Sequence, residues 1–123
     1  MPRRRTHNKQ AALNAEQALD VVLRALADHT RRRMLQRLAR GPATVTEFAK
    51  PLGISLPAVS RHLRILEDAG FVHRTVEGRT HYCFLNLEPI QHVDAFTQSC
   101  RALWMATLES LGIARLNDSR EIP

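Results

Sequence analysis

Apolar residues recur every three to four positions through most of this chain and every second position over one short stretch. That pattern predicts helices with a single hairpin inserted before the last of them. Between Ala11 and Ala27, Leu19, Val22, Leu23 and Leu26 line one side of a helix. A second helix is expected from Arg31 to Arg40, with Asp28 as its N-cap, Met34, Leu35 and Leu38 turned inward, and Gly41-Pro42 ending it. A short third helix is expected to open at Thr44, because a threonine with Glu47 three places on has the spacing of a capping box. Val45, Phe48, Ala49 and Leu52 are its apolar face, and Pro51 and Gly53 keep it short. After Gly53-Ile54-Ser55, Ser55 is expected to cap a fourth helix carrying Pro57 in its first turn. There Leu56, Val59, Leu63 and Leu66 share the inward face.

Beyond Gly70 the period becomes two. Val72, Arg74 and Val76 alternate with His73 and Thr75, Glu77-Gly78 marks a tight turn, and a second strand is expected from Arg79 to Leu85. Pro89 then starts a long helix whose stripe is Ile90, Val93, Phe96, Cys100, Leu103, Trp104, Leu108 and Leu111. One small domain has too little interior for this stripe and that of the first helix together. A second copy is expected to cover them through an isologous interface containing Leu19, Val22, Leu23, Phe96, Leu103, Trp104, Leu108 and Leu111. Residues 1–10 carry Arg3, Arg4, Arg5 and Lys9 with no acid, which predicts a flexible basic arm ahead of a domain over 11–116 and a frayed tail over 117–123.

With 123 residues and 44% hydrophobic content, the chain suits one domain. Its formal charge of +6 favours a polyanionic partner. Two cysteines are too few for a disulfide scaffold, and neither an N-terminal apolar run nor a membrane-length apolar stretch is present, so a cytoplasmic, reduced protein is expected. Nothing has the spacing of a nucleophile–base pair, a phosphate loop or paired acids, so neither an enzyme nor a cofactor is expected.

The outward face of the fourth helix changes the picture most. It is small at its start, with Ser55, Pro57 and Ala58, and then presents Ser60, Arg61 and Arg64. A helix enters a major groove about 12 Å wide by its N-terminal half, where bulk would clash and guanidinium groups reach guanine edges or phosphates. The third and fourth helices therefore read as a helix-turn-helix for double-stranded DNA. Ser60, Arg61 and Arg64 are the base-reading candidates, and Lys50, Arg74 and Arg79 the phosphate candidates.

Ser60-Arg61-His62-Leu63, then Leu66 and Ala69-Gly70, then a basic hairpin, resemble the signature of the ArsR/SmtB family of winged helix-turn-helix repressors, over about Leu26 to Leu87. The resemblance implies a mostly α fold with a small β-hairpin, dimerisation through N- and C-terminal helices, and repression at a palindromic operator. It also implies a wing whose tip presents Arg74, Arg79, Thr80 and His81 to the DNA. Most of the family has proline where this chain has His29. Many members release DNA when a metal binds, but Thr44, Thr46 and Ala49 stand where one family site has cysteines, and His92 with Asp94 is the reverse of the other site's order. Tetrahedral zinc needs about four ligands, so no metal is expected, and the effector stays unidentified. Two alternatives stay open: a dimeric winged-helix module that binds acidic protein surfaces, and a redox-responsive repressor if Cys83 and Cys100 approach within about 7 Å between Cα atoms.

Overall fold

The described residues form five helices and three short strands: α1 (Pro2–Leu26), α2 (His29–Leu38), β1 (Ala43–Thr44), α3 (Thr46–Leu52), α4 (Leu56–Asp68), β2 (Val72–Glu77), β3 (Thr80–Leu85) and α5 (Ile90–Ser110). The structure, a computed structural model, describes the backbone of residues 2–112 and the side chains of residues 14–112. The expected tail over 117–123 and the side chains of the expected arm lie outside the described residues. The backbone of that arm belongs to α1, which begins at Pro2. Residues 1–92 form one compact unit; residues 93–123, with most of α5, form a second.

The core of the first unit follows from the helical periods. Met34, Leu35 and Leu38 of α2, Phe48 of α3, and Val59, Leu63 and Leu66 of α4 are all buried, together with Phe71, Val72 and Cys83. Fully burying each large apolar side chain of this kind contributes about 1.5–3 kcal/mol before conformational entropy is subtracted. Leu56, in the first turn of α4, departs from the expectation: it is 47% exposed. On α1, Val22 and Ala25 are buried within the chain while Val21 and Leu23 are exposed.

Capping fixes where the helices start. The Asp28 carboxylate accepts from the Arg31 amide at 3.0 Å, and the Ser55 hydroxyl accepts from the Ala58 amide at 3.3 Å. The expected capping box at Thr44 does not form. Thr44 belongs to β1, paired with Tyr82, and Val45 occupies the cap position of α3 with no side-chain bond. Glu47 instead forms an ion pair with Arg37 of α2 at 3.2 Å. Strand pairing won here because it satisfies backbone groups on both partners, whereas the box would serve only the first turn of a seven-residue helix.

The Arg31 amide, first among several causes, holds the Asp28 carboxyl below its usual pKa, with the Arg31 charge adding to it and partial desolvation opposing it. Replacing Asp28 by alanine is expected to cost about 0.5–2 kcal/mol. Because the folded pKa is depressed, this contribution is full above the ordinary carboxylate range and is lost as pH falls through the folded value. Urea unfolding of the wild type and Asp28→Ala should therefore show a gap at pH 7 that closes in strong acid.

Gly53 turns α3 into α4 at φ +66°, a left-handed conformation that a side chain disfavours. Gly70, at φ +85°, turns α4 into the sheet, and a Cβ there would sit 3.2 Å from Cγ of Pro89. The three strands are ordered β1-β3-β2 and are antiparallel. Glu77 pairs with Thr80, leaving Gly78-Arg79 as a two-residue loop. β1 was not expected; Ala43 and Thr44 add to the free edge of β3 opposite Cys83 and Tyr82.

Candidate nucleic-acid interface

The face of α4 opposite the buried Val59, Leu63 and Leu66 is the natural place to build from, since three side chains with 0% exposure leave the helix no freedom to roll. Ser60, Arg61 and Arg64 consequently point outward and are exposed, with Ser55 and Pro57 exposed at the helix start and Ala58 half-buried beside them. Arg61 and Arg64, three positions apart, are neighbours on the helix surface.

The basic side chains sort into two groups. Arg31, Arg32, Arg37 and Arg74 are engaged within the chain. Arg31 bonds the carbonyls of Arg24 and Ala25. Arg32 bonds the carbonyl of Leu26, and Arg37 bonds Gly41 and Glu47. Among the described residues, Arg61, Arg64, Arg79 and Lys50 are exposed and form no ion pair, and the same holds of Arg24, Arg33, Arg40 and Arg101 elsewhere on the chain. The first four lie on the outward face of α4, on the hairpin loop and on α3.

Arg74 corrects an expectation. It does not lie at the hairpin tip but near the base of β2, paired across the strands with Cys83, and its guanidinium forms an ion pair with Glu67 of α4. Alternation places it on the side of the sheet that meets α4, where a carboxylate waits. Its Nε is buried without a partner. Arg74 thus joins hairpin to helix and is not free for phosphate. Ser60, Arg64, Glu67, Asp68 and Arg74 line a cleft of about 490 Å³ between α4 and β2. At the tip, Arg79, Thr80 and His81 are exposed and line a smaller hollow of about 210 Å³ with Thr44, Val45 and Thr46. The hairpin loop therefore stands beside the start of α3.

A larger hollow of about 630 Å³ lies against α1 and the segment from Asp68 to His92. Among the described residues no three His, Cys, Asp or Glu side chains are placed to hold a metal ion. Cys83 is fully buried, and burial pushes its thiol pKa up, which suppresses the reactive thiolate. Cys100 is exposed, and both cysteines are free thiols.

Of the residues expected at a dimer interface, Leu23, Phe96, Leu103, Trp104 and Leu111 are exposed, and Leu19 is half-buried. Val22 and Leu108 are not available: both are already buried within the chain. His62 has no role assigned from the sequence, yet its Nδ1 lies 3.3 Å from Nη1 of Arg31. Its only signal in the sequence was its place between the outward Arg61 and the inward Leu63.

Comparison with known proteins gives a consistent picture. A helix-turn-helix domain model matches residues 26–75. The arsenic resistance transcriptional regulator ArsR1 of Pseudomonas putida is 33% identical over 107 residues, 84% of this chain and 83% of that one. Other curated regulators match more closely over shorter stretches, and the chain spans about half of their length. A crystal structure of an ArsR family transcriptional regulator superposes with a TM-score of 0.70 at 41% identity, covering 73% of this chain and 93% of that one. The homodimeric winged helix-turn-helix DNA-binding domain of a possible ArsR-family regulator from Mycobacterium bovis gives a TM-score of 0.56 at 27% identity, covering 79% of this chain and 87% of the other.

Proposed function

We propose that this chain, which belongs to the ArsR family of winged helix-turn-helix transcriptional regulators, is a homodimeric repressor that occludes a promoter by binding a palindromic operator. The observation that carries this reading is the division of labour on α4: one face immobilised in the core, the other presenting the unpaired guanidinium groups of Arg61 and Arg64. Unpaired cations on a fixed helix suit a major groove, where an arginine fork matches O6 and N7 of guanine. Ser60 joins them as a base-reading candidate, while Ser55, Pro57 and Ala58 keep the entering turn small. Lys50 and Arg79 contact phosphates, and Thr80 and His81 accompany Arg79 on the flanking backbone.

Exposed apolar side chains support pairing of two copies. Leu103 is 72% and Trp104 60% exposed on α5, and Leu23 is exposed on α1. Exposed apolar side chains of this size suit an interaction site. The homodimeric state of the mycobacterial neighbour supports the same arrangement. A twofold pair of α4 helices set about 34 Å apart reads successive major grooves on one side of the duplex.

Fluorescence anisotropy on the duplex upstream of the protein's own gene tests the reading. Affinity is expected to fall linearly on a log–log plot against salt, losing roughly 10³–10⁵ between 50 and 200 mM if 6–10 phosphates are neutralised by the dimer. A flat salt response, or equal affinity for every duplex, would sink it.

A further inference from the structure

We infer that Arg31 and His62 are positioning residues that tie α4 to the C-terminal end of α1 and thereby hold the DNA-facing helix at a fixed distance from the dimer axis. The last part rests on the function proposed above; the tie itself does not.

One guanidinium, carried by α2, meets two further helices. Its Nε donates to the Ala25 carbonyl at 2.8 Å and its Nη2 to the Arg24 carbonyl at 2.8 Å. These carbonyls end α1, where helix groups have no partner along the chain and a cation is favoured. Arg31 belongs to α2, and its own amide is held by Asp28. With two edges of a rigid planar fork committed to α1, the remaining nitrogen has a single direction left, and in that direction stands Nδ1 of His62 at 3.3 Å. Arginine has only donors, so in this contact Nδ1 accepts. Oδ2 of Asp28 lies 4.0 Å from the same Nδ1, beyond hydrogen-bond reach.

The tie meets α4 at a sensitive point. His62 directly follows Arg61 in the chain and precedes Leu63, which is fully buried. The core stops α4 from rolling, and a directional bond adds to the register that packing sets along the helix axis. That bond comes from Arg31 of α2, which is itself anchored on α1. Arg32 grips the same end of α1 through the Leu26 carbonyl at 2.6 Å. In a dimer joined through α1, the position of α4 relative to α1 becomes the position of α4 relative to its twin.

The test uses the full chain with spin labels at Asp20→Cys on α1 and Asp68→Cys on α4, in a Cys100→Ser background diluted with unlabelled protein. Asp20 and Asp68 are both exposed. Pulsed electron paramagnetic resonance is expected to give one narrow distance in the otherwise unaltered chain. It should broaden in His62→Leu, which removes the acceptor, and be restored in His62→Gln, whose amide oxygen accepts. Arg31→Lys, which keeps the charge and loses the fork, should broaden it too and covers the case in which His62→Leu fails to fold. Unchanged widths in the folded variants overturn the tie, whether or not the protein binds DNA. Operators lengthened or shortened by one base pair at the centre then test the consequence. The wild type should bind them about tenfold more weakly than the matched site, and His62→Leu should lose that discrimination. A uniform loss at every spacing would make His62 a merely structural residue and overturn the positioning role. Broadened distances in a protein that binds no duplex would retain the tie and overturn the proposed function.

Discussion

Replacing Arg61 by alanine is expected to weaken binding to a matched operator by about 1–3 kcal/mol, roughly 5- to 150-fold, while leaving thermal stability unchanged. The stability half of this statement follows from the structure. Arg61 is exposed and, among the described residues, pairs with no carboxylate, so its removal leaves no charge stranded. The binding half follows from where the side chain points, away from a helix face that the core holds still. Arg61→Lys separates charge from shape. An ammonium keeps the phosphate attraction but cannot form the two parallel bonds that a guanine edge accepts. Competition between matched and scrambled duplexes at one salt concentration reads the difference. A base-reading Arg61 gives a lysine variant with a reduced preference for the matched duplex, whereas equal loss on both in the alanine variant assigns the side chain to a phosphate.

Phe48→Ala should be the most damaging change to the fold, costing about 3–5 kcal/mol. Phe48 is 1% exposed and is the one buried residue of α3. That helix has no side-chain cap and contains Pro51, so little besides this ring and the Arg37–Glu47 ion pair holds it in place. The ion pair is more than a third exposed and contributes little. A domain of this size commonly has about 5–15 kcal/mol of stability in total, so the loss takes a large share of it. Urea unfolding followed by circular dichroism measures it. A cost below about 1 kcal/mol would show that α3 is held by something other than its aromatic anchor. Phe48→Leu, which keeps most of the volume, should retain most of the stability.

What the sequence made legible was what local period encodes. The α2 and α4 helices, the hairpin and the outward set Ser60, Arg61 and Arg64 all follow from spacing, because a helix buries whichever face is apolar. The remainder depended on partners distant in sequence. A two-residue strand has no period, so β1 was invisible, and Thr44 looked like a cap because its partner Tyr82 lies far along the chain. Arg74 reads in the sequence like Arg79. Only the register against Cys83 and the nearness of Glu67 distinguish a brace from a free cation. Val22 has the same type and spacing as Leu23, yet one helix position separates the chain's own core from its exposed surface. His62 is separated by 31 positions from the arginine it accepts from, and no local pattern joins them.

Gly70 restricts how such a protein can change. A side chain there would have to adopt a left-handed backbone and press against the ring of Pro89 at 3.2 Å, so the elbow joining α4 to the hairpin admits no ornament. Substitution of Gly70 is therefore expected to disturb the angle between the two prongs. Fresh operator preferences must be written in the outward residues 60, 61 and 64 rather than by re-aiming the hairpin, and a library confined to those three codons should sample new specificities on an undisturbed frame.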